Sequence, residues 1–340
     1  MTETHIIGGG FAGLLIAQAL CDADIQNITL YEQPDVYRAS NAPVAICHPF
    51  PGRSLRPHPL LFTAYRQSQK WMRRWATWDT GLVEELPMVR PAHAPGANRL
   101  YASWERDWHT QPNPEFLITV SKDKTVQYGP CYAVHLGDLC TLWATRLREQ
   151  GVRWSTHPVD LTQTEDTRRI LCVGRHLTSW FPDLTAHNEG GALGTFATNT
   201  PLRTLISGGG HIAPASDTAL VAGATRWTHT PEIPAQSWSS LQRIASRLWP
   251  DVGAPLHLWE GVRCIVNTDR LPLVGDVPDC PRTYVLGAFG SKGLLWGPYA
   301  AHCLAQRIID GTDVPPSLST DRLPRFCWRQ GSTKPDLNRE

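Results

Sequence analysis

Three glycines near the start of the chain, Gly8, Gly10 and Gly13, have the spacing of a phosphate-binding turn. An apolar stretch precedes them and a helical pattern follows, which predicts a strand, a tight turn and a helix in that order. Gly8 would allow the turn, Gly10 would let the backbone approach a pyrophosphate, and Gly13 would permit close packing of the helix on the strand. Phe11 and Ala12 would lie at the helix N-terminus that faces the phosphates. The pattern predicts a dinucleotide site, and a simple glycine loop is the alternative.

An acidic residue completes this pattern. Glu32 ends the second predicted strand, roughly 20 residues beyond the glycine turn. A carboxylate at that place accepts hydrogen bonds from ribose hydroxyls and repels a 2′-phosphate. The order of strand, turn, helix, strand and acid therefore predicts an adenine dinucleotide without a 2′-phosphate.

A second glycine loop lies near the C-terminus, in TYVLGAFGSKGLLWGP. Gly287, Gly290 and Gly293 would let the backbone approach a flat ligand, Leu294 would open a helix, and Ser291 and Lys292 lie between them. The helix N-terminus and the Lys292 ammonium would face a reduced flavin, which carries negative charge. A solvated loop lysine is the alternative for Lys292. Two such loops suit a long, bent dinucleotide such as FAD better than a nicotinamide dinucleotide.

The remaining elements must position these two loops. A helix is predicted from about Pro59 to Trp78, with Trp71, Trp75 and Trp78 on one face and Arg73 and Arg74 on the other. A buried tryptophan face is expected, and stacking on RNA bases is the alternative. Strands are predicted in FLITV and VQYG, followed by a helix with Asp138 near its start and Gly151 as its stop. RRILCVGRH, from Arg168 to His176, predicts a buried strand that ends at Gly174, and Gly208 to Gly210 predict a turn.

Composition limits the classes of protein and partner. A chain of 340 residues with a net charge of +1 is expected to form two domains, and any nucleic-acid site must be a local patch. Nine cysteines without CxxC pairs favour neither a disulfide framework nor a zinc site, so no metal is expected. Because the first strand starts close to Met1 and no apolar run reaches the length of a membrane span, we expect a cytoplasmic protein.

The order of elements predicts the fold class and the domains. We expect an α/β protein with a Rossmann-like FAD-binding domain and an inserted, mainly antiparallel β substrate domain, of the glutathione-reductase type. The predicted FAD-binding domain comprises residues 1–78, 135–190 and 261–314, the substrate domain comprises 79–134 and 191–260, and 315–340 form a tail that is ordered at best in part.

Motifs along nearly the whole chain resemble one enzyme superfamily. They are GGGFAG with Glu32, SNAPVAICHP, ILCVGRH, GVRC…DRLPLVGDVPD and GAFGSKGLLWGP. They are similar to those of the D-amino-acid oxidase and glycine oxidase superfamily, and within it to the FAD-dependent oxidase domain of the bifunctional tRNA 5-methylaminomethyl-2-thiouridine biosynthesis proteins. The resemblance implies a D-amino-acid oxidase-like fold with FAD as cofactor. It adds Ser40, Asn41 and Gly174 to the expected cofactor-binding residues.

The resemblance also implies an activity. The enzyme would remove the carboxymethyl group from 5-carboxymethylaminomethyl(-2-thio)uridine at the tRNA wobble position, with oxygen as electron acceptor. Arg263 of GVRC would clamp the substrate carboxylate with its planar guanidinium, with a surface or structural arginine as the alternative, and Lys292 would stabilise the reduced flavin. The methyltransferase domain of the bifunctional proteins is absent from this sequence, so a separate methyltransferase would act afterwards.

Three alternatives stay open. A small-molecule glycine- or sarcosine-type oxidase needs the same fold and carboxylate clamp, and a non-catalytic flavoprotein needs only the cofactor site. A rim of arginines, namely Arg53, Arg56, Arg73 and Arg74, would favour tRNA. Covalent attachment of the flavin through Cys47, His48 or Cys264 is the third alternative, and we expect non-covalent FAD.

Overall fold

The computed structural model describes residues 2–50, 58–92, 117–157, 167–228 and 234–324, together with Ala102. The predicted rim residues Arg53 and Arg56 lie outside these ranges. The chain divides into two compact units. Unit 1 comprises Met1–Ser40, Cys140–Glu189 and Val262–Glu340, and unit 2 comprises Asn41–Leu139 and Gly190–Gly261.

The strands are, in chain order, β1 (Thr4–Ile7), β2 (Ile28–Tyr31), β3 (Ala45–Cys47), β4 (Val83–Arg90), β5 (Leu117–Val120), β6 (Val126–Val134), β7 (Arg153–Ser155), β8 (Arg168–Leu171), β9 (Ala186–Ala197), β10 (Leu205–Ser207), β11 (His211–Ser216), β12 (Ala219–Gly223), β13 (Pro255–Val266), β14 (Leu273–Asp276) and β15 (Thr283–Gly287). The helices are α1 (Phe11–Cys21), α2 (Leu61–Ala76), α3 (Leu136–Glu149), α4 (Leu177–Trp180), α5 (Pro234–Leu248) and α6 (Gly293–Asp310). Short 3₁₀ turns cover Ala39–Asn41, Gly174–His176 and Thr320–Arg322.

Unit 1 contains a six-stranded sheet in the order β14-β15-β8-β1-β2-β7. All its pairs are parallel except β14 with β15. A parallel sheet is normally buried on both faces, which explains why the apolar ends of β1 and β8, Ile6 and Ile7 and Ile170 and Leu171, are buried. Helix α1 is buried nearly all round, because Leu14, Leu15, Ile16 and Ala17 are fully inaccessible to solvent. This is the Rossmann-like arrangement that the sequence predicts.

Unit 2 is built on a nine-stranded sheet in the order β13-β9-β12-β11-β10-β4-β6-β3, with β5 on β6. The pairs of β3, β4 and β5 with β6 and of β12 with β9 and β11 are antiparallel, as is β10 with β11, whereas β10 with β4 is parallel. Ile206, Ile212 and Ala222 of this sheet pack in one core with Leu241 and Ala245 of α5. The predicted class, an α/β fold with an inserted, mainly antiparallel β domain, is confirmed.

One predicted domain boundary differs from the structure by 38 residues, because unit 1 ends at Ser40 rather than at residue 78. The segment 41–78 belongs to unit 2 because β3 pairs with β6 and α2 packs against β4. The other boundaries, after residues 139, 189 and 261, lie within five residues of the predicted ones.

The tryptophan helix also differs in detail. Trp75 is fully buried, and Trp71 and Trp78 are half-buried. The prediction that Arg74 occupies the opposite face is wrong, because its guanidinium lies 5.1 Å from the ring centre of Trp71 and 5.9 Å from that of Trp78. The spacing explains this contact, since residues three and four apart are neighbours on a helix surface.

The first part of the predicted tail packs onto unit 1. Ser319 forms a β-bridge with Val274, Leu318 is fully buried, and Arg322 Nε donates to Asp269 Oδ2 at 2.7 Å. The ordered part of unit 1 therefore extends at least ten residues beyond the predicted boundary at 314.

Candidate functional site

The glycine turn between β1 and α1 is closed by contacts that only glycine allows. Gly8 has φ +117°, and a Cβ there would lie 2.2 Å from the carbonyl oxygen of Cys172. A Cβ on Gly13 would lie 1.9 Å from the carbonyl oxygen of Gly8, so this residue brings α1 against the turn, as predicted. A Cβ on Gly9 would lie 2.7 Å from Cδ of Glu32, which places the acid directly beside the turn.

The N-terminus of α1 is directed at this turn. Gly10 is its extended N-cap residue, and a Cβ there would lie 2.9 Å from Ser40 Oγ. Ser40 Oγ accepts a hydrogen bond from the backbone N–H of Phe11 at 3.0 Å. Within an α-helix, the next amides, those of Ala12 and Gly13, have no acceptor, so they carry the positive end of the helix dipole. This end of α1 fits a diphosphate.

Glu32 is held by two donors that sequence reasoning missed. Trp154 Nε1 donates to its Oε2 at 2.7 Å, and the guanidinium of Arg38 pairs with its Oε1. About a quarter of the Glu32 side chain remains exposed, at 24%. Since an ionised carboxylate has about four lone-pair sites, two of them remain for ribose hydroxyls. Glu32 can therefore play its predicted part in a fixed orientation.

For Gly174 and Asn41, the predicted contact with the cofactor is less directly supported. Strand β8 ends at Leu171, three residues before the predicted end at Gly174, which has φ +56° and begins a 3₁₀ turn. In this turn Arg175 Nε donates to Asp35 Oδ2 at 3.0 Å, a contact without a sequence signal. Asn41 is exposed and is the first residue of unit 2, whereas the glycine turn belongs to unit 1.

The second glycine loop lies beside the first. Gly290 has φ +55° and its N–H donates to the Cys264 carbonyl at 3.1 Å, so this loop is fixed to the end of β13. A Cβ on Gly293 would lie 3.8 Å from the ring of Phe11. Because Gly293 opens α6 and Phe11 opens α1, the two helix N-termini are adjacent. Two positive helix ends side by side fit an anionic, folded cofactor.

The other residues of this loop differ in role. A Cβ on Gly287 would lie 2.8 Å from Cδ1 of Leu177, so a larger residue here would require the buried Leu177 side chain to move. Ser291 is exposed, and Leu294 is the second residue of α6 and is buried. Lys292 is the N-cap residue of α6, so it lies in the loop for which a flavin contact is predicted.

A cluster of charges surrounds one buried carboxylate in unit 1. Arg263 Nη2 donates to Glu189 Oε1 at 3.1 Å, and Arg270 Nη2 lies 3.7 Å from Glu189 Oε2. Lys292 Nζ donates to the carbonyl oxygen of Arg270 at 3.4 Å. Burial, and then the charge of Arg270, lower the pKa of Lys292. Asp269, which faces the same region, is bound by Arg322.

This cluster changes the interpretation of Arg263. The sequence predicts a free carboxylate clamp, whereas in the structure one of its nitrogens binds Glu189. Sequence reasoning missed Glu189, which carries no local motif, and gave no role to Arg270, which lies within the DRLPLVGDVPD motif. Four cationic side chains against the two carboxylates of Glu189 and Asp269 leave an excess of positive charge, and Arg263 has five N–H donors. The cluster can therefore still attract and orient an anionic substrate.

Comparison with known proteins identifies the family. The family model described as FAD dependent oxidoreductase, the DAO family, matches residues 4–307. The chain belongs to this family. Its cofactor is FAD, and both glycine loops of unit 1 have the shape and the positive helix ends that FAD requires.

This chain is similar to individual DAO-family proteins and related structures to different extents. The chain is 29% identical, over 173 aligned positions, to the tRNA 5-methylaminomethyl-2-thiouridine biosynthesis bifunctional protein MnmC of Paraburkholderia phymatum, and the match covers 40% of this chain and 26% of that protein. The chain thus spans about a quarter of that relative. Glycine oxidase from Bacillus cereus has a TM-score of 0.76 at 18% identity, covering 97% of this chain and 99% of that one. Iminodiacetate oxidase from Chelativorans sp. BNC1 has a TM-score of 0.75 at 16% identity, covering 93% and 98%. These structures share the fold.

Within the described ranges, none of the helices has the length and apolar character needed to cross a membrane. In the same ranges, no three His, Cys, Asp or Glu side chains are grouped so that they could hold a metal ion.

Proposed function

We propose that this FAD-dependent oxidoreductase oxidises a glycine-type secondary amine, R–NH–CH₂–COO⁻. The first candidate is 5-carboxymethylaminomethyl(-2-thio)uridine at the tRNA wobble position, with oxygen as electron acceptor. The observation that carries the chemistry is the cluster of Arg263, Arg270 and Lys292 beside Glu189, next to the flavin loop. The tRNA substrate rests on the motif resemblance and on the partial match to MnmC.

The proposed reaction is a two-electron oxidation. The methylene carbon loses a hydride and the nitrogen loses a proton, which gives an imine. When bound, FAD supplies the hydride acceptor. Water then adds to the imine, and the products are the primary amine R–NH₂ and glyoxylate. The two electrons pass to oxygen, which gives hydrogen peroxide. In this scheme Arg263 orients the carboxylate, and Lys292 contributes positive charge beside the flavin loop.

A small-molecule substrate is the second candidate function. It is favoured by the glycine oxidase and iminodiacetate oxidase structures, which match over almost the whole chain, whereas the tRNA-modifying relative matches over less than half of it. A secondary amino acid with one or two carboxymethyl groups requires the same carboxylate recognition. A separate methyltransferase acting on the product belongs to the tRNA proposal alone.

We expect the FAD to be bound non-covalently. Burial raises the pKa of the Cys264 thiol to about 12 and raises the pKa of the Cys47 thiol well above its usual range. Protonated thiols are poor nucleophiles, so neither is suited to attack a flavin. Acid precipitation of the yellow protein should therefore release all of its flavin into the supernatant.

Anaerobic flavin reduction tests the substrate class. The holoprotein is mixed with tRNA that carries the carboxymethylaminomethyl group, with the same tRNA carrying only the aminomethyl group, and with glycine, sarcosine and iminodiacetate. Bleaching by the first tRNA only, with loss of its carboxymethyl group in nucleoside mass spectrometry, supports the tRNA substrate. Bleaching by a small amine only supports the second candidate. A flavin that every amine leaves oxidised would show a non-catalytic flavoprotein.

A pair of variants tests the role of Arg263. Arg263→Gln should slow flavin reduction strongly while FAD stays bound, and Arg203→Gln, an exposed arginine of unit 2, should not. If Arg263 served only to neutralise Glu189, the double variant Arg263→Gln/Glu189→Gln would recover the wild-type rate. If Arg263 holds the substrate carboxylate, the double variant stays slow.

A further inference from the structure

One buried arginine of unit 2 has no carboxylate partner among the residues that the structure describes. Arg90, the last residue of β4, is 6% exposed, and its Nη2 donates to the neutral hydroxyl of Ser207 at 3.3 Å. Its Nε is buried without a hydrogen-bond partner. In the part of the chain that the structure describes, no carboxylate forms an ion pair with Arg90. A buried charge without a counter-charge is costly, so this arginine needs an explanation.

The sheet places Arg90 in a row of polar residues. Leu205 and Ile206 of β10 lie opposite Met88 and Val89 of β4, so the next residues, Ser207 and Arg90, are neighbours. Ser207 lies opposite His211 of β11, and His211 lies opposite Gly223 of β12. A Cβ on Gly223 would lie 3.3 Å from Cε1 and Nε2 of His211. The row therefore crosses four strands.

All members of this row share one face of the sheet. Their neighbours Ile206, Ile212 and Ala222 pack with α5, and side chains alternate between the faces of a strand. Ser207, His211 and Arg90 therefore point away from α5. This face carries these polar side chains beside buried apolar ones such as Met88 and Leu205, whereas the side chains that pack on α5 are apolar.

Two further polar side chains, those of Tyr128 and His48, lie near this row. Tyr128 of β6 lies opposite Met88, two residues from Arg90 and on the same face, and its hydroxyl is 3.4 Å from His48 Nδ1. Burial, followed by the charges of Arg90 and His211, lowers the pKa of His48 to about 3. His48 is therefore neutral at physiological pH, and Arg90 is a cation of this face.

We propose that Arg90 binds the carboxylate of a small amino-acid-type ligand, with Ser207 and Tyr128 beside it. The inference rests on the proposed function for the nature of this ligand, but its test needs no turnover. The unpaired Nε lies on an edge of the guanidinium that can bind both oxygens of a planar carboxylate. An RNA phosphate, which carries a nucleoside on each side, needs an exposed cation, and Arg90 is buried.

Calorimetry on the oxidised holoprotein tests this subsite, with glycolate as the probe. Wild type and the control variant Arg203→Gln, which removes an exposed unit 2 arginine, should bind glycolate equally. Arg90→Gln should weaken a glycolate site at least 10-fold while its FAD content stays unchanged. Unchanged glycolate binding by folded Arg90→Gln would overturn the inference. Inorganic phosphate is the second arm, and stronger binding of phosphate than of glycolate at Arg90 would overturn the choice of a carboxylate.

A second measurement uses the wild-type protein in case Arg90→Gln does not fold. A crystal structure of the holoprotein with glycolate should show its carboxylate within hydrogen-bond distance of Arg90 Nε. Glycolate bound only elsewhere would overturn the inference. Failure of the proposed function is distinguishable, because it would leave the flavin oxidised with every amine while glycolate still bound at Arg90.

Discussion

The substitution Gly13→Ala tests whether the glycine turn and the FAD site depend on one contact. A Cβ on Gly13 would lie 1.9 Å from the carbonyl oxygen of Gly8, whereas Cβ atoms essentially never approach another atom closer than 3.0 Å. The obstacle is backbone and cannot rotate away. The N-terminus of α1 must therefore move from the turn by at least about 1 Å.

The cost of this movement follows from the packing of α1. Leu14, Leu15 and Ile16 are fully buried, so the helix cannot move without disturbing a close-packed core. Overpacking of this kind costs about 1–3 kcal/mol. The amides at the start of α1 would also move away from the diphosphate. Because those amides bind through direction as well as charge, we expect FAD affinity to fall by more than 10-fold.

The assay compares FAD content after gel filtration and the free energy of unfolding in urea. Gly81→Ala is the matched control, because a Cβ on Gly81 would lie 3.4 Å from Asp79 Oδ1, an ordinary contact in an exposed turn. The control should retain FAD and wild-type stability. A Gly13→Ala protein with a full complement of FAD and unchanged stability would refute the assignment of this turn to the cofactor.

Three more predictions concern ionisable side chains. Glu32→Gln should weaken FAD binding about 10-fold or more in fluorescence titration, because hydrogen bonds to a charged group contribute roughly 1.5–3 kcal/mol. Burial raises the pKa of Asp35, but hydrogen bonds from His176 and Arg175 outweigh it and hold the pKa well below its usual range. This carboxylate therefore adds stability above about pH 4 that is lost as the pH falls, and the stability difference between wild type and Asp35→Asn should shrink in acidic urea titrations. The pKa of Lys292 is lowered by burial and by a neighbouring arginine, so the unfolded chain binds more protons there in the alkaline range. Stability should rise with pH below the usual lysine pKa of about 10.4, and Lys292→Met should remove this rise.

The local patterns of the cofactor site could be predicted from the sequence. Gly8 follows a strand and Gly13 lies in the first turn of a helix. Their spacing alone predicts which backbone atoms must approach each other. Glu32 has a fixed separation from them because one helix and one strand lie between. The polar groups that hold Glu32 were not predictable, since Trp154 lies 122 positions away and belongs to no motif. Contacts between distant segments depend on sheet order, which the sequence does not state.

The charge cluster at Glu189 also depends on a contact between distant segments, and this changes the predicted chemistry of Arg263. Arg263 stands in a recognisable motif, but its partner Glu189 lies 74 positions earlier. Without that contact, the sequence predicts a free clamp. The structure also shows Arg90, for which no motif exists, buried without a carboxylate partner from the described segments. The family motif indicates Arg263, and the lack of a described counter-charge indicates Arg90. The two kinds of evidence therefore lead to two different residues.

The adjacent helix ends explain why glycines far apart in the chain act on one ligand. A Cβ on Gly297 would lie 2.7 Å from Cδ1 of Leu15 and 3.0 Å from the ring of Phe11, so the absence of a side chain lets α6 approach α1. Gly293, one turn earlier on α6, contacts the same ring. The distance between the two helix N-termini is therefore set by small residues at their contact. Since each end attracts negative charge, this packing, rather than either loop alone, would provide one continuous site for a folded dinucleotide.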